Sequence, residues 1–166
     1  LNFINYEIDD IKNGNEIKIL NIESRLVSDF PVNDIDVDTK IKGKVDRIDE
    51  YNGTLRIIDY KTGIVEPRDL EIGDWGDLTL DYKYSKVIQV LSYAFMANKT
   101  ASYENIEAGI ISFKRLKKGF IKFTQKGKPK QTNITQEIID RYSIELKKLI
   151  LEISNKEIPF KEKDVE

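Results

Sequence analysis

Two alternating runs meet at Asn52-Gly53, Gly43 to Tyr51 before it and Thr54 to Gly63 after it. Asn-Gly is the strongest short hairpin signal, because both central residues of a type I′ turn need positive φ. A two-residue turn fixes the register, so Tyr51 faces Thr54, Asp49 faces Arg56 and Ile48 faces Ile57. These are apolar and opposite-charge pairs, which makes the register self-consistent. The same register sets Asp46 opposite Asp59. Side chains alternate along a strand, so Ile48, Ile57, Asp46 and Asp59 share one face, with Lys61 on the same side. The apolar face of the hairpin thus ends in two carboxylates with Cβ atoms only ~5 Å apart.

Partly buried carboxylates at that spacing either share a proton or bind a cation. A hard divalent ion fits best, since Mg²⁺ typically takes one or two protein carboxylates plus water and substrate phosphate. The backbone carbonyl of Tyr60 is placed to add a third oxygen. Lys61 is then a cation beside the ion, able to orient or deprotonate water or to hold a phosphate. Two acids, a lysine and a metal form a phosphodiester-hydrolysing constellation. The ordinary fate of Asp-x-Lys is an ion pair on a solvated sheet edge. The opposed second carboxylate is what favours the metal.

The rest of the chain reads as a mixed α/β domain, its first half largely antiparallel. A long strand is expected from Glu16 to Val32, an acidic connection over Asp34–Asp38, and strands over Thr39–Tyr51 and Thr54–Thr62. Pro67, Gly73 and Gly76 mark a loop from Gly63 to Leu80. Val87, Val90, Leu91, Ala94 and Phe95 recur at helical spacing within Tyr84–Asn98. Strands over Ile106–Phe113 and Phe120–Thr124 flank an expected turn at Lys117-Lys118-Gly119. Ile134, Ile138, Tyr142, Leu146, Leu149 and Ile153 form one face of a last helix, capped by Asn133 or Thr135. At 166 residues this is one domain, 1–166.

The chain has no Cys and no His, which excludes disulfides, thiolate metal sites and triads built on imidazole. Any chemistry must run on carboxylates, Lys, Tyr or a hard metal ion. No apolar run approaches the ~18 residues of a membrane span, and no signal-peptide pattern opens the chain. A cytoplasmic protein without membrane contact is expected. Because the first residue is not Met, a fragment of a longer polypeptide is expected too.

Net charge is −2, but it is unevenly spread. Between residues 108 and 136 there is no acid, while Lys114, Arg115, Lys117, Lys118, Lys122, Lys126, Lys128 and Lys130 are all basic. Such an arm can neutralise phosphates, and Lys114, Arg115, Lys117, Lys118 and Lys122 are the expected DNA contacts. Phe113, Phe120 and Phe123 interleave with these cations. Exposed aromatics stack on unpaired bases, but these three are expected to point into the core.

Three segments together resemble the PD-(D/E)XK nuclease superfamily, in particular the RecB/AddB-like nuclease domains of bacterial helicase–nucleases. Gly43-Lys44-Val45-Asp46-Arg47-Ile48-Asp49 is similar to G-x-x-D-R-(I/V)-D. Ile57-Ile58-Asp59-Tyr60-Lys61-Thr62-Gly63 is similar to the family's D-Y-K-T-G strand, and Gln89-Val90-Leu91-Ser92-Tyr93 to Q-x-x-x-Y. The resemblance implies a restriction-endonuclease-like α/β core, a central mixed sheet with an antiparallel hairpin flanked by helices. It implies Mg²⁺, replaceable by Mn²⁺, held by Asp46, Asp59 and the Tyr60 carbonyl. Lys61 is then the catalytic lysine, with Gln89 and Tyr93 approaching from the helix. Glu23 resembles an acidic residue on the preceding strand, although a surface Glu explains it as well.

The implied activity is Mg²⁺-dependent DNA cleavage, by exo- or endonuclease action, in repair or recombination, with a helicase module or subunit as partner. The alternative is a catalytically inactive DNA-binding or scaffold domain of a helicase–nuclease complex. Relatives often supply a metal-ligating His from a helix before the first strand, and this chain is expected to begin after that helix. Many also end in a Cys cluster holding an iron–sulfur centre, for which these residues have no ligands. A glycosidase needs two acids straddling a sugar cleft, which the neighbouring lysine and basic arm disfavour. A phosphate-binding-loop ATPase lacks its glycines before Lys61-Thr62.

Overall fold

The computed structural model describes residues 2–98 and 103–159. The Asn-Gly signal sets the centre of the fold. Asn52 and Gly53 have φ of 49° and 80°, and they join β2 (Lys40–Tyr51) to β3 (Thr54–Lys61) in the expected register. Outside β2 lies β1 (Ile17–Asp29), antiparallel to it. On the other side β3 runs parallel to β5 (Ile106–Ser112), which pairs antiparallel with β6 (Phe120–Lys122). The result is one five-stranded mixed sheet of order β1-β2-β3-β5-β6. Two short strands within the connections, β4 (Glu71–Ile72) and β7 (Thr124–Gln125), pair parallel to each other.

Helices cover both faces, giving the α/β architecture expected from the sequence. On one face, α2 (Ser85–Asn98) buries Val87, Val90, Leu91 and Ala94 against Ile48, Leu55, Ile57, Ala108 and Ile110. Behind it lies α3 (Gln136–Ser154), where Thr135 is the N-cap and accepts from the Ile138 N–H. The two helices meet where Ser92 Oγ lies 2.6 Å from the Tyr142 hydroxyl.

A helix that the sequence reading did not place, α1 (Asn2–Lys12), sits on the opposite face. Its Glu7 pairs with Arg47 and its Asp10 accepts from the Tyr51 hydroxyl. Ile4, Ile8 and Ile11 keep helical spacing but are exposed, and the helix is attached by these polar contacts together with Phe3, which packs edge-on against Tyr60 and Phe113. This helix precedes the first strand, and it contains no His.

Two further corrections concern connections. The 63–80 loop contains short 3₁₀ turns at Pro67–Leu70 and Trp75–Asp77 that bury Leu70 and Trp75. The link from β5 to β6 is a 3₁₀ segment, Phe113–Lys118, rather than a tight turn. Gly119 closes it at φ 62°, a left-handed position that suits glycine.

Candidate active site

The end of β3 is the point where the sheet changes its pairing. From Tyr51↔Thr54 to Arg47↔Ile58 the hairpin ladder is regular, and it ends there. The expected backbone pair of Asp46 with Asp59 does not form. Instead Asp46 Oδ2 accepts the Tyr60 N–H at 2.8 Å. A carboxylate is a stronger acceptor than a neutral carbonyl, so it takes the N–H that faces β2. On the other edge of β2, paired positions run from Ile22↔Arg47 to Ser24↔Val45 and pass over Glu23 and Asp46. Glu23 sits at φ 52°, uncommon for a residue with a side chain.

Asp59 is 4% exposed and faces α2. Its Oδ1 accepts from Gln89 Nε2 at 3.0 Å. The same nitrogen lies 3.0 Å from the hydroxyl of Tyr93, one turn further along α2. Lys61 Nζ approaches Asp59 Oδ2 to 2.8 Å as an ion pair. Burial pushes the Asp59 carboxyl above the usual aspartate range; Lys61 offsets part of that, and the Asp46 charge adds to it. The structure thus gathers Asp46, Asp59, Lys61, Gln89 and Tyr93 at one end of β3, with Gln89 on one oxygen of the buried Asp59 and Lys61 on the other.

A model of the PD-(D/E)XK nuclease superfamily matches residues 5–164. The chain belongs to the PD-(D/E)XK nuclease superfamily. Members of this superfamily are typically nucleases and generally use Mg²⁺ or a similar divalent ion. None of the curated proteins matches the chain. One similar solved structure, titled "Crystal structure of SSO0001", aligns at 15% identity and a TM-score of 0.38, over 93% of this chain. This chain spans 59% of that one.

The residues of this superfamily member fit a hard cation. The side chains offered are two carboxylates, Asp46 and the buried Asp59, close enough that, beyond the effect of burial, the Asp46 charge raises the Asp59 carboxyl above its usual range. Among the described residues no cluster of three His, Cys, Asp or Glu is present. Mg²⁺ commonly keeps most of its shell as water and phosphate, so two carboxylates and a carbonyl are an adequate protein share. Glu23 stays outside this set: it is exposed and paired with Lys44 at 2.8 Å.

The basic arm is less free than its composition implied, because acids from other elements reach it. Arg115 pairs with Glu66 at 3.0 Å and Lys122 with Glu107 at 2.8 Å. Lys126 and Lys130 both pair with Glu71. Among the described residues no carboxylate lies within ion-pair distance of Lys114, Lys117 or Lys118. Phe123 is fully buried and Phe120 half-buried, whereas Phe113 is 41% exposed, correcting its expected place in the core.

Sequence reasoning missed the layer behind the site. Arg47 is buried and reaches Asp49 at 2.6 Å, Glu7, and the Tyr60 hydroxyl at 3.3 Å. Asp49 also receives two bonds from Arg56, at 2.8 and 2.9 Å. The register exposed the Asp49–Arg56 pair, but nothing in the spacing pointed to Arg47 joining it.

Proposed function

We propose that this domain is a Mg²⁺-dependent DNA nuclease of the RecB/AddB-like kind, acting in repair or recombination beside a helicase module or subunit. The observation that carries the reading is Asp59, a buried carboxylate whose charge is disfavoured by burial and which stands between the Asp46 carboxylate and the Lys61 ammonium. Asp46, Asp59 and the Tyr60 carbonyl would hold the ion. Bound there, it would activate water and steady charge developing on phosphorus.

The chain's own residues do the rest. Gln89 holds Asp59 Oδ1, which leaves Oδ2 to Lys61, and Tyr93 shares the Gln89 amide. Lys61, half-exposed, offers an ammonium that a phosphate or water could accept in place of Asp59. Lys114, Lys117 and Lys118 supply phosphate contacts that position DNA without reading its sequence.

Calorimetry with Mn²⁺ on the parent, Asp46→Ala and Asp59→Ala tests the site, followed by DNA cleavage with Mg²⁺. Binding by the parent alone, with cleavage lost in both variants and in Lys61→Ala, is the expected result. Metal binding without cleavage by the parent would favour the DNA-binding scaffold. No binding at all would overturn the metal site.

A further inference from the structure

A second cavity lies on the reverse side of β3, between α1 and the Phe113–Lys118 segment. Its volume is about 710 Å³, and its apolar wall is formed by Tyr6, Phe113 and Leu116. Lys114, Lys117 and Lys118 stand around it, all exposed and without a carboxylate partner among the described residues. From α1, Asn5 and Asp9 border it one helical turn apart, offering amide and carboxylate groups. An apolar cavity ringed by three unpaired cations matches a ligand with a flat apolar body and an anionic backbone.

The position ties this cavity to the site. Ser112 pairs with Lys61 across β5 and β3, so the segment leaves the sheet beside the catalytic strand. Phe113 stacks on the Tyr60 ring, centroids 5.5 Å apart at 17°, and takes the edge of Phe3 at 5.6 Å. Its remaining exposed surface borders the cavity.

We infer that the cavity receives an unpaired base of a single-stranded DNA flank while Lys114, Lys117 and Lys118 hold its phosphates. The inference rests on the DNA-nuclease reading and adds a strand preference to it. Paired bases are occupied by their own stack and cannot enter, whereas a free base gains stacking on Phe113 and Tyr6. The domain would therefore engage DNA bearing single-stranded character.

The test measures binding in chelator, so its outcome is independent of metal and cleavage. Fluorescence anisotropy compares a single-stranded oligonucleotide, a blunt duplex of equal length, and a single strand with a central abasic tract. The parent should bind the intact single strand more tightly than the other two. Phe113→Ala should weaken single-strand binding about 5- to 150-fold, the range for loss of one stacked base, and bring it level with the abasic strand. Lys117→Glu with Lys118→Glu, on the exposed surface, should weaken all three probes. Since Phe113 also packs on Tyr60, a thermal melt of Phe113→Ala and the abasic comparison in the unaltered parent guard against a folding effect. Equal binding of intact and abasic strands by the parent would overturn the inference. If that difference holds while Mn²⁺ fails to bind, the base site stands and the nuclease reading fails.

Discussion

Asp59 combines a cost to the fold with a use. Its carboxyl titrates above the ordinary aspartate range, chiefly from burial. The folded chain therefore holds this proton more tightly than the unfolded chain, and ionised Asp59 lowers stability above its raised pKa. As pH falls from that value towards the ordinary one, the penalty is relieved. Asp59→Asn should raise metal-free stability at neutral pH by about 1 kcal/mol and remove this part of the pH dependence, read from melting temperature against pH. Mn²⁺ affinity should decline as the proton competes, about tenfold per pH unit below the raised pKa, because a ligating carboxylate must be deprotonated. Asp46 makes a different prediction. Both Asp46→Asn and Asp46→Ala should abolish metal binding, yet only Ala leaves the Tyr60 N–H without an acceptor. It should cost about 1 kcal/mol more in denaturant unfolding. The hairpin register brought Asp46 and Asp59 together on paper because turn chemistry is local. It did not reveal that Asp46 bonds to backbone, since period-two reasoning treats a side chain as pointing to a face, not to an N–H.

Between β2 and α2 the fit is set by Gly43. A Cβ there would come within 2.9 Å of Met96 Cε and of Tyr93 Cε1. The methionine end can swing away, but the tyrosine ring is rigid and its hydroxyl touches the amide that holds Asp59. Gly43→Ala should cost about 1–3 kcal/mol and also reduce cleavage by folded protein, as Tyr93 and Gln89 shift together. Gly63→Ala, with nothing within 4 Å of its added carbon, is the matched control and should leave cleavage near parental. The helix itself was legible from its apolar spacing. α1 was not, because Glu7, Asp10 and Phe3, which attach it, look like any solvated surface, while its isoleucines face outward. β4 and β7 are too short for any period to show.

At the scale of the molecule, the sheet is held from behind by a buried charge cluster. Asp49 is fully buried between Arg47 and Arg56. Asp49→Ala should destabilise by about 3–5 kcal/mol, because it leaves the buried Arg56 without its carboxylate and takes one of two carboxylates from Arg47; thermal or urea unfolding would show it, and an unchanged midpoint would contradict the cluster's role. The architecture as a whole could be read from the order of elements, and its hairpin from one dipeptide. The parallel pairing of β3 with β5 could not, because no local signal reports which distant strand comes to lie alongside. That pairing has a consequence for how the protein comes into being. A growing chain can close the β2–β3 hairpin soon after Gly53 is made, yet Asp59 and Lys61 gain their neighbours Ile110 and Ser112 only much later. Long-range parallel pairing is intrinsically slow to form. The two aspartates are thus translated well before the strand that flanks Asp59 exists.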